Sequence, residues 1–158
     1  MRKILLAAAI LAVSACGFHL KGTQPYDKLP YTAWRVDGGA LQQVLENALR
    51  RADGKPVDAS QAQAVIAVSH IEAHKDVLTI TRAATINEYL LILRVHAQAS
   101  SNGENLGEPI IVEVRRSMDY ADGKVLGKQE EEATVWQEMR RDAAEQIVRR
   151  LAFLKAAR

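Results

Sequence analysis

The chain has one cysteine, Cys16, so it cannot form an internal disulfide. Any domain built from it is held by its core alone. Neither sign of charge is in excess: residues 1–15 contain Arg2 and Lys3 and no acid, and the remainder carries 19 basic against 19 acidic residues. That balance argues against generic nucleic-acid binding, which shows a basic surplus. After residue 15 no apolar run approaches the ~20 residues needed to span a bilayer. Gly38-Gly39 is not followed by Gly-Lys-Ser/Thr, so there is no phosphate-binding loop. There is no Gly-x-Ser-x-Gly elbow, no internal repeat and no low-complexity tract. Acids and histidines occur singly, with no nucleophile–base pattern, so nothing in the sequence supports an enzyme, and no cofactor is implied.

The amino terminus, by contrast, is informative. Arg2 and Lys3 precede an apolar stretch, residues 4–13, about half a membrane span, which has the form of a secretory signal. Val13-Ser14-Ala15-Cys16 places small side chains before the sole cysteine and resembles a bacterial lipobox. Cys16 is therefore the expected lipidation site and the first residue of the mature chain. One acyl chain binds membranes marginally and two or more hold stably; the lipoprotein pathway attaches three. Gly17 stands where an Asp would favour the inner membrane, so the expected location is the outer membrane, lipid-anchored on its periplasmic side.

The domain organisation follows: signal peptide 1–15, lipidated N-terminus and tether 16–30, and one domain over 31–158. The 143 residues after the signal are enough to bury a core without staples. Pro25 and Pro30 favour an extended tether. Residues 31–36 (YTAWRV) read as a strand. Leu41, Val44, Leu45, Ala48, Leu49 and Ala52 form one apolar stripe, predicting a helix over 40–52 that Gly54 stops. Residues 64–71 and 77–81 read as one long strand with a bulge near His74. Residues 87–100 and 110–120 are two further strands with alternating faces, joined by a hairpin loop over 101–109. Residues 129–155 form a second helix with Trp136, Met139, Ala143, Ile147, Leu151 and Leu154 inward and Glu130, Glu131 and Glu132 in its first turn. The expected fold is α+β, a two-layer sandwich with two amphipathic helices on one face of a largely antiparallel four-stranded sheet. The other sheet face, with Leu90, Ile92, Arg94, His96, Ile111, Glu113 and Arg115, is more apolar than solvent requires and invites a covering partner.

His70 and His74 lie about 13 Å apart along a strand at ~3.3 Å per residue, too far to share a metal, and no acidic cluster is expected beside them. His19 and His96 are isolated. The three glutamates read as a solvated helix terminus, Trp136 as core, and Trp34 as either core or edge. Arg82 closes the second strand, and Lys128 stands at the mouth of the last helix. In an antiparallel layout both fall at the same end of the sheet, where the two cations could converge or simply be solvated turn residues.

Ordered residues along nearly the whole mature chain resemble the LPS-assembly lipoprotein LptE family. They are Cys16-Gly17-Phe18-His19-Leu20-Lys21-Gly22; Arg82 with Glu88-Tyr89; Arg116-Ser117-Met118-Asp119-Tyr120 with Leu126, Lys128 and Glu132; and Glu138-Met139, Ala143-Ala144-Glu145-Gln146-Ile147 and Arg150-Leu151. The chain departs from the pattern at Ala83-Ala84, where an Asn-Gly type of turn is expected, and it lacks the long polar tail of some members. The resemblance implies a protein that plugs and assembles the outer-membrane barrel LptD and helps deliver lipopolysaccharide to the outer leaflet. It makes Arg82 and Lys128 candidate LPS-binding residues. The rival expectations are a generic outer-membrane lipoprotein scaffolding another envelope complex, and a small periplasmic enzyme.

Overall fold

The computed structural model describes residues 28–82, 86–120 and 125–155 of the chain. The signal, Cys16, most of the tether, the Ala83-Ala84 turn and the turn at Asp122-Gly123 lie outside the described residues.

The chain runs β1 (Ala33–Asp37), α1 (Gln42–Arg51), β2 (Lys55–Pro56), β3 (Ala64–Ile80), β4 (Ile86–Ser101), β5 (Glu104–Asn105), β6 (Ile110–Asp119) and α2 (Val125–Leu151). Short 3-10 turns, Gly39–Leu41 and Ala59–Gln61, precede α1 and β3. The sheet is mixed and six-stranded among the described residues, with β2-β1-β3-β4 in order and both β5 and β6 on the far side of β4. This corrects the expected four strands, and the parallel pairs at β1 make the largely antiparallel sheet a mixed one. β1 pairs parallel to β2 and to β3, because α1 intervenes between β1 and β3 and a strand–helix–strand crossover brings the chain back in the same direction. β2 and β5 are two-residue strands too short to show a period.

The core lies on one sheet face. Trp34 and Val36 of β1, Ala64 and Ile66 of β3, Leu91, Leu93, Val95, Ala97 and Ala99 of β4, and Ile110, Val112 and Val114 of β6 join one buried cluster. Strand register puts them on the same side, with Val36 opposite Ile66, Ile66 opposite Ala99, and Leu93 opposite Val114. Leu45, Ala48 and Leu49 of α1 and Met139, Ala143, Ala144, Ile147 and Leu151 of α2 complete it. Trp34 is wholly buried, and its Nε1 donates to the Tyr31 carbonyl at 2.8 Å, which settles its place in the core.

Only residues 64–67 of β3 pair with β1; beyond them the sheet continues as an arm in which β4 lies between β3 and β6. Polar residues at positions 74–76 do not break its ladder: His74 pairs with Ile92 in unbroken register. The irregularities fall instead between Val68 and His70 and from Val77 to Ile80. Past residue 67 β3 is the edge strand among the described residues, so a run of charge there marks an exposed edge rather than a bulge. Val77, Leu78 and Ile80 are exposed along the arm's outer part.

Candidate functional site

The far end of the arm gathers the two expected cations. Ile80 pairs with Ile86, Thr79 with Glu88, and Glu88 with Asp119, so the ends of β3 and β6 and the start of β4 coincide. Arg82, two residues past β3, is exposed. Lys128, in the first turn of α2, reaches back to β6: its Nζ donates to the Asp119 carbonyl at 2.8 Å and to Glu131 Oε2 at 2.9 Å. Its side chain is only 16% exposed. The two residues share one end of the sheet but differ in kind. Arg82 is a surface cation, whereas Lys128 already ties the end of β6 to α2 and offers a partly neutralised charge.

Next to Lys128 is a cluster that sequence reasoning missed. Lys75 lies on the helix side of β3, since it pairs with the buried Leu91. Its Nζ pairs with Glu132 Oε2 at 2.5 Å. The same ammonium sits 4.2 Å from the centre of the Tyr89 ring and 6.0 Å from that of Tyr120. The two tyrosine rings meet edge to face at 5.0 Å. Trp136 Nε1 donates to the other Glu132 oxygen at 3.2 Å. Hydrogen bonding from Lys75 holds the Glu132 carboxyl below the usual carboxylate range, against partial burial that pushes it up, with the Trp136 N–H adding to the lowering.

Two expectations change here. The three glutamates are not in the first turn, because α2 begins at Val125 rather than at residue 129. Glu130 and Glu131 are exposed as expected, but Glu132 is half-buried and paired. Trp136 packs against the core but is only half-buried, and its indole nitrogen holds Glu132. The available signal was the i, i+4 spacing of Lys128, Glu132 and Trp136, one stripe of the helix.

The opposite sheet face carries a balanced charge network. Arg94 pairs with Glu113 at 2.6 Å and with Glu72 at 3.5 Å, and Arg115 pairs with Glu113 at 2.7 Å. Hydrogen bonds from Arg94 and then Arg115 hold the Glu113 carboxyl low. His70 and His74 both lean on Glu72, at 3.1 and 3.7 Å, and the His70 ring meets that of His96 at 5.9 Å. Glu72 stands between the two histidines as a single carboxylate. His96 is half-buried and in ring contact rather than isolated. No group of three metal-ligating side chains occurs among the described residues. Half-buried Leu90 and Ile92 and exposed Ile111 interleave with the charges, so the face is amphipathic with its charges mutually satisfied.

A concavity of about 200 Å³ between the helices is lined by Leu29, Ala48, Ala52 and Val148 with the Arg51–Glu145 ion pair. It contains no nucleophile beside an acid–base pair. No described helix is long and apolar enough to cross a membrane.

Comparison with known proteins gives a consistent match. The family model described as LptE, lipopolysaccharide-assembly, matches residues 28–151. The LPS-assembly lipoprotein LptE of Pectobacterium atrosepticum is 30% identical over 159 aligned positions, covering 98% of this chain and 86% of that protein. Its counterpart in Yersinia enterocolitica is 31% identical, covering 98% and 76%. Among solved structures, a lipoprotein B from Nitrosomonas europaea superposes with a TM-score of 0.69 at 24% identity, covering 86% of this chain and 90% of that one. That last likeness establishes a shared fold.

Proposed function

Because this chain belongs to the LptE family, we propose that it is an outer-membrane lipoprotein of lipopolysaccharide assembly that occupies and assembles the LptD barrel. In this reading it is anchored through acylated Cys16 on the periplasmic side and helps to deliver lipopolysaccharide to the outer leaflet. The observation that carries the reading is the family match over residues 28–151, nearly the whole described chain. The geometry agrees with it. The sheet face away from the helices is amphipathic with its charges paired in place, which suits a surface covered by another protein. The strand arm ends at Arg82, and Lys128 of α2 is bonded to the β6 end beside it.

Lipopolysaccharide meets that end through its lipid A phosphates. Arg82 supplies an exposed guanidinium, the better bidentate phosphate ligand, and Lys128 a fixed point charge. Exposed Val77, Leu78 and Ile80 on the adjoining strand offer apolar contact.

Co-purification from native envelopes tests the partner: untagged LptD is expected to come down with the tagged protein in near-equal amount. Recovery of a different barrel or a secretion pore without LptD overturns the reading. Binding of purified lipopolysaccharide tests the site. Arg82→Ala with Lys128→Ala is expected to weaken binding about tenfold, in line with charge-assisted contacts that are partly exposed, and to leave the LptD complex intact. Undiminished affinity removes the site, and loss of LptD would make it a protein interface instead.

A further inference from the structure

Along α2, buried side chains begin only at Met139; among described side chains 127–138 none is fully buried. Residues 125–138 amount to nearly four turns, ~21 Å at 1.5 Å per residue. This first half of the helix is kept against the sheet by half-buried Val135 and Trp136 and by polar attachments. Lys128 makes one attachment, to the end of β6. Lys75 of β3 makes the other, to Glu132.

We propose that Lys75 and Glu132 are positioning residues, an ion pair laid over Tyr89 and beside Tyr120 that fixes the first turns of α2 on the arm and so holds Lys128 where it meets ligand. This rests on the reading of Lys128 as a lipopolysaccharide contact. Glu132 follows Lys128 by one helical turn, so both lie on one stripe, and fixing the first fixes the rotation of the second about the helix axis. The pair draws its partners from every element at that end: Lys75 from β3, Tyr89 from β4, Tyr120 just after β6, and Glu132 with Trp136 from α2. Tyr120 is itself fixed, its N–H donating to the Asn87 carbonyl at 2.8 Å. A lysine so placed has two attractions at once, the carboxylate and the tyrosine ring face. The side chains of Lys75 and Glu132 are 33% and 25% exposed, dry enough for the pair to count and wet enough for it to open without unfolding the core.

The test uses the full chain and two variants. Lys75→Met keeps the aliphatic stem and removes the charge; Lys75→Arg keeps the charge and can still stack on Tyr89. Amide exchange followed by mass spectrometry is expected to rise about tenfold over residues 125–136 in Lys75→Met, with exchange in residues 139–151 unchanged. Lipopolysaccharide affinity is expected to fall about threefold to fivefold in the same variant, and Lys75→Arg is expected to restore both. Unchanged exchange over 125–136 in Lys75→Met overturns the attachment. Faster exchange there with undiminished lipopolysaccharide affinity overturns the positioning role. Lys128→Ala is measured in parallel. If that variant alone binds lipopolysaccharide as well as wild type, it is the site reading that fails, and the exchange data still decide whether Lys75 holds the helix.

Discussion

At the C-terminus of α1 the glycine expected to end the helix does a different job. The left-handed residue is Asp53, with φ of 60°, and Gly54 follows it, its N–H donating to the Leu49 carbonyl at 2.8 Å. Gly54 has little room for a side chain: a Cβ there would lie 2.9 Å from Leu29 Cδ1 and 3.1 Å from the Leu49 carbonyl oxygen. Asp53→Gly is therefore expected to stabilise the protein by about 0.5–1 kcal/mol by relieving the left-handed backbone. Gly54→Ala is expected to destabilise it by about 1–3 kcal/mol through overpacking. Urea unfolding of the two variants reads both signs. Glu132 gives a pH dependence. Its folded pKa is depressed, chiefly by the Lys75 hydrogen bond, so the unfolded chain binds the proton more readily. The stabilisation is complete above the unfolded value of about 4.3 and is lost as pH falls through the lower folded value. Glu132→Gln is expected to flatten the stability–pH curve in that acid window and to leave its shape above pH 6 unchanged. An unaltered acid limb would show that Glu132 does not contribute.

Among the elements, α1 was the most legible. Its apolar stripe places Leu45 and Leu49 in the core with no exposure, and the structure differs from the expected span only by converting the entry into a 3-10 turn. Leu45→Ala is expected to cost about 2–5 kcal/mol, a large share of the stability of a domain this size; a thermal midpoint within 1–2 °C of wild type would contradict its burial. The alternation in β4 likewise holds: the expected outer residues Leu90, Ile92, Arg94 and His96 interleave with buried Leu91, Leu93, Val95 and Ala97. What escaped is what period alone does not carry. The parallel pairing of β1 with β3 depends on where the chain re-enters the sheet. β2 and β5 are too short for any pattern. The loop after β4 held a usable signal, however. Asn102-Gly103, with φ of 51° and 84°, closes a tight hairpin in which Ser101 pairs with Glu104, as two positive-φ residues in an Asn-Gly pair do.

At the scale of the molecule, the site was legible only in part. Arg82 and Lys128 could be placed at one end of the sheet from the order of strands and turns. That Lys128 is already committed to the Asp119 carbonyl could not, because that bond depends on α2 starting four residues earlier than its glutamates suggest. Lys75 was invisible for a related reason: its partner Glu132 is 57 residues away in the chain. The matched family region begins at residue 28, and Cys16 lies upstream of it. Cys16→Ala is expected to leave the thermal midpoint of the purified domain unchanged, because the buried core among the described residues, from Trp34 to Leu151, is complete within the matched region. If Cys16 is acylated as proposed, the substitution is expected to abolish the acyl mass on the mature protein and to move the protein from the membrane to the soluble envelope fraction, since several acyl chains at about 0.8 kcal/mol per buried CH₂ would hold it stably. Under the proposed LptD partnership, LptD recovery should then fall in vivo, where an anchor would raise the local concentration of the two proteins, while mixing purified components at micromolar concentration should still assemble them. An unmodified Cys16 in the mature wild-type protein, read by mass spectrometry, ends the lipoprotein reading. Failure of the purified variant to assemble would mean that the acylated terminus is itself part of the LptD interface.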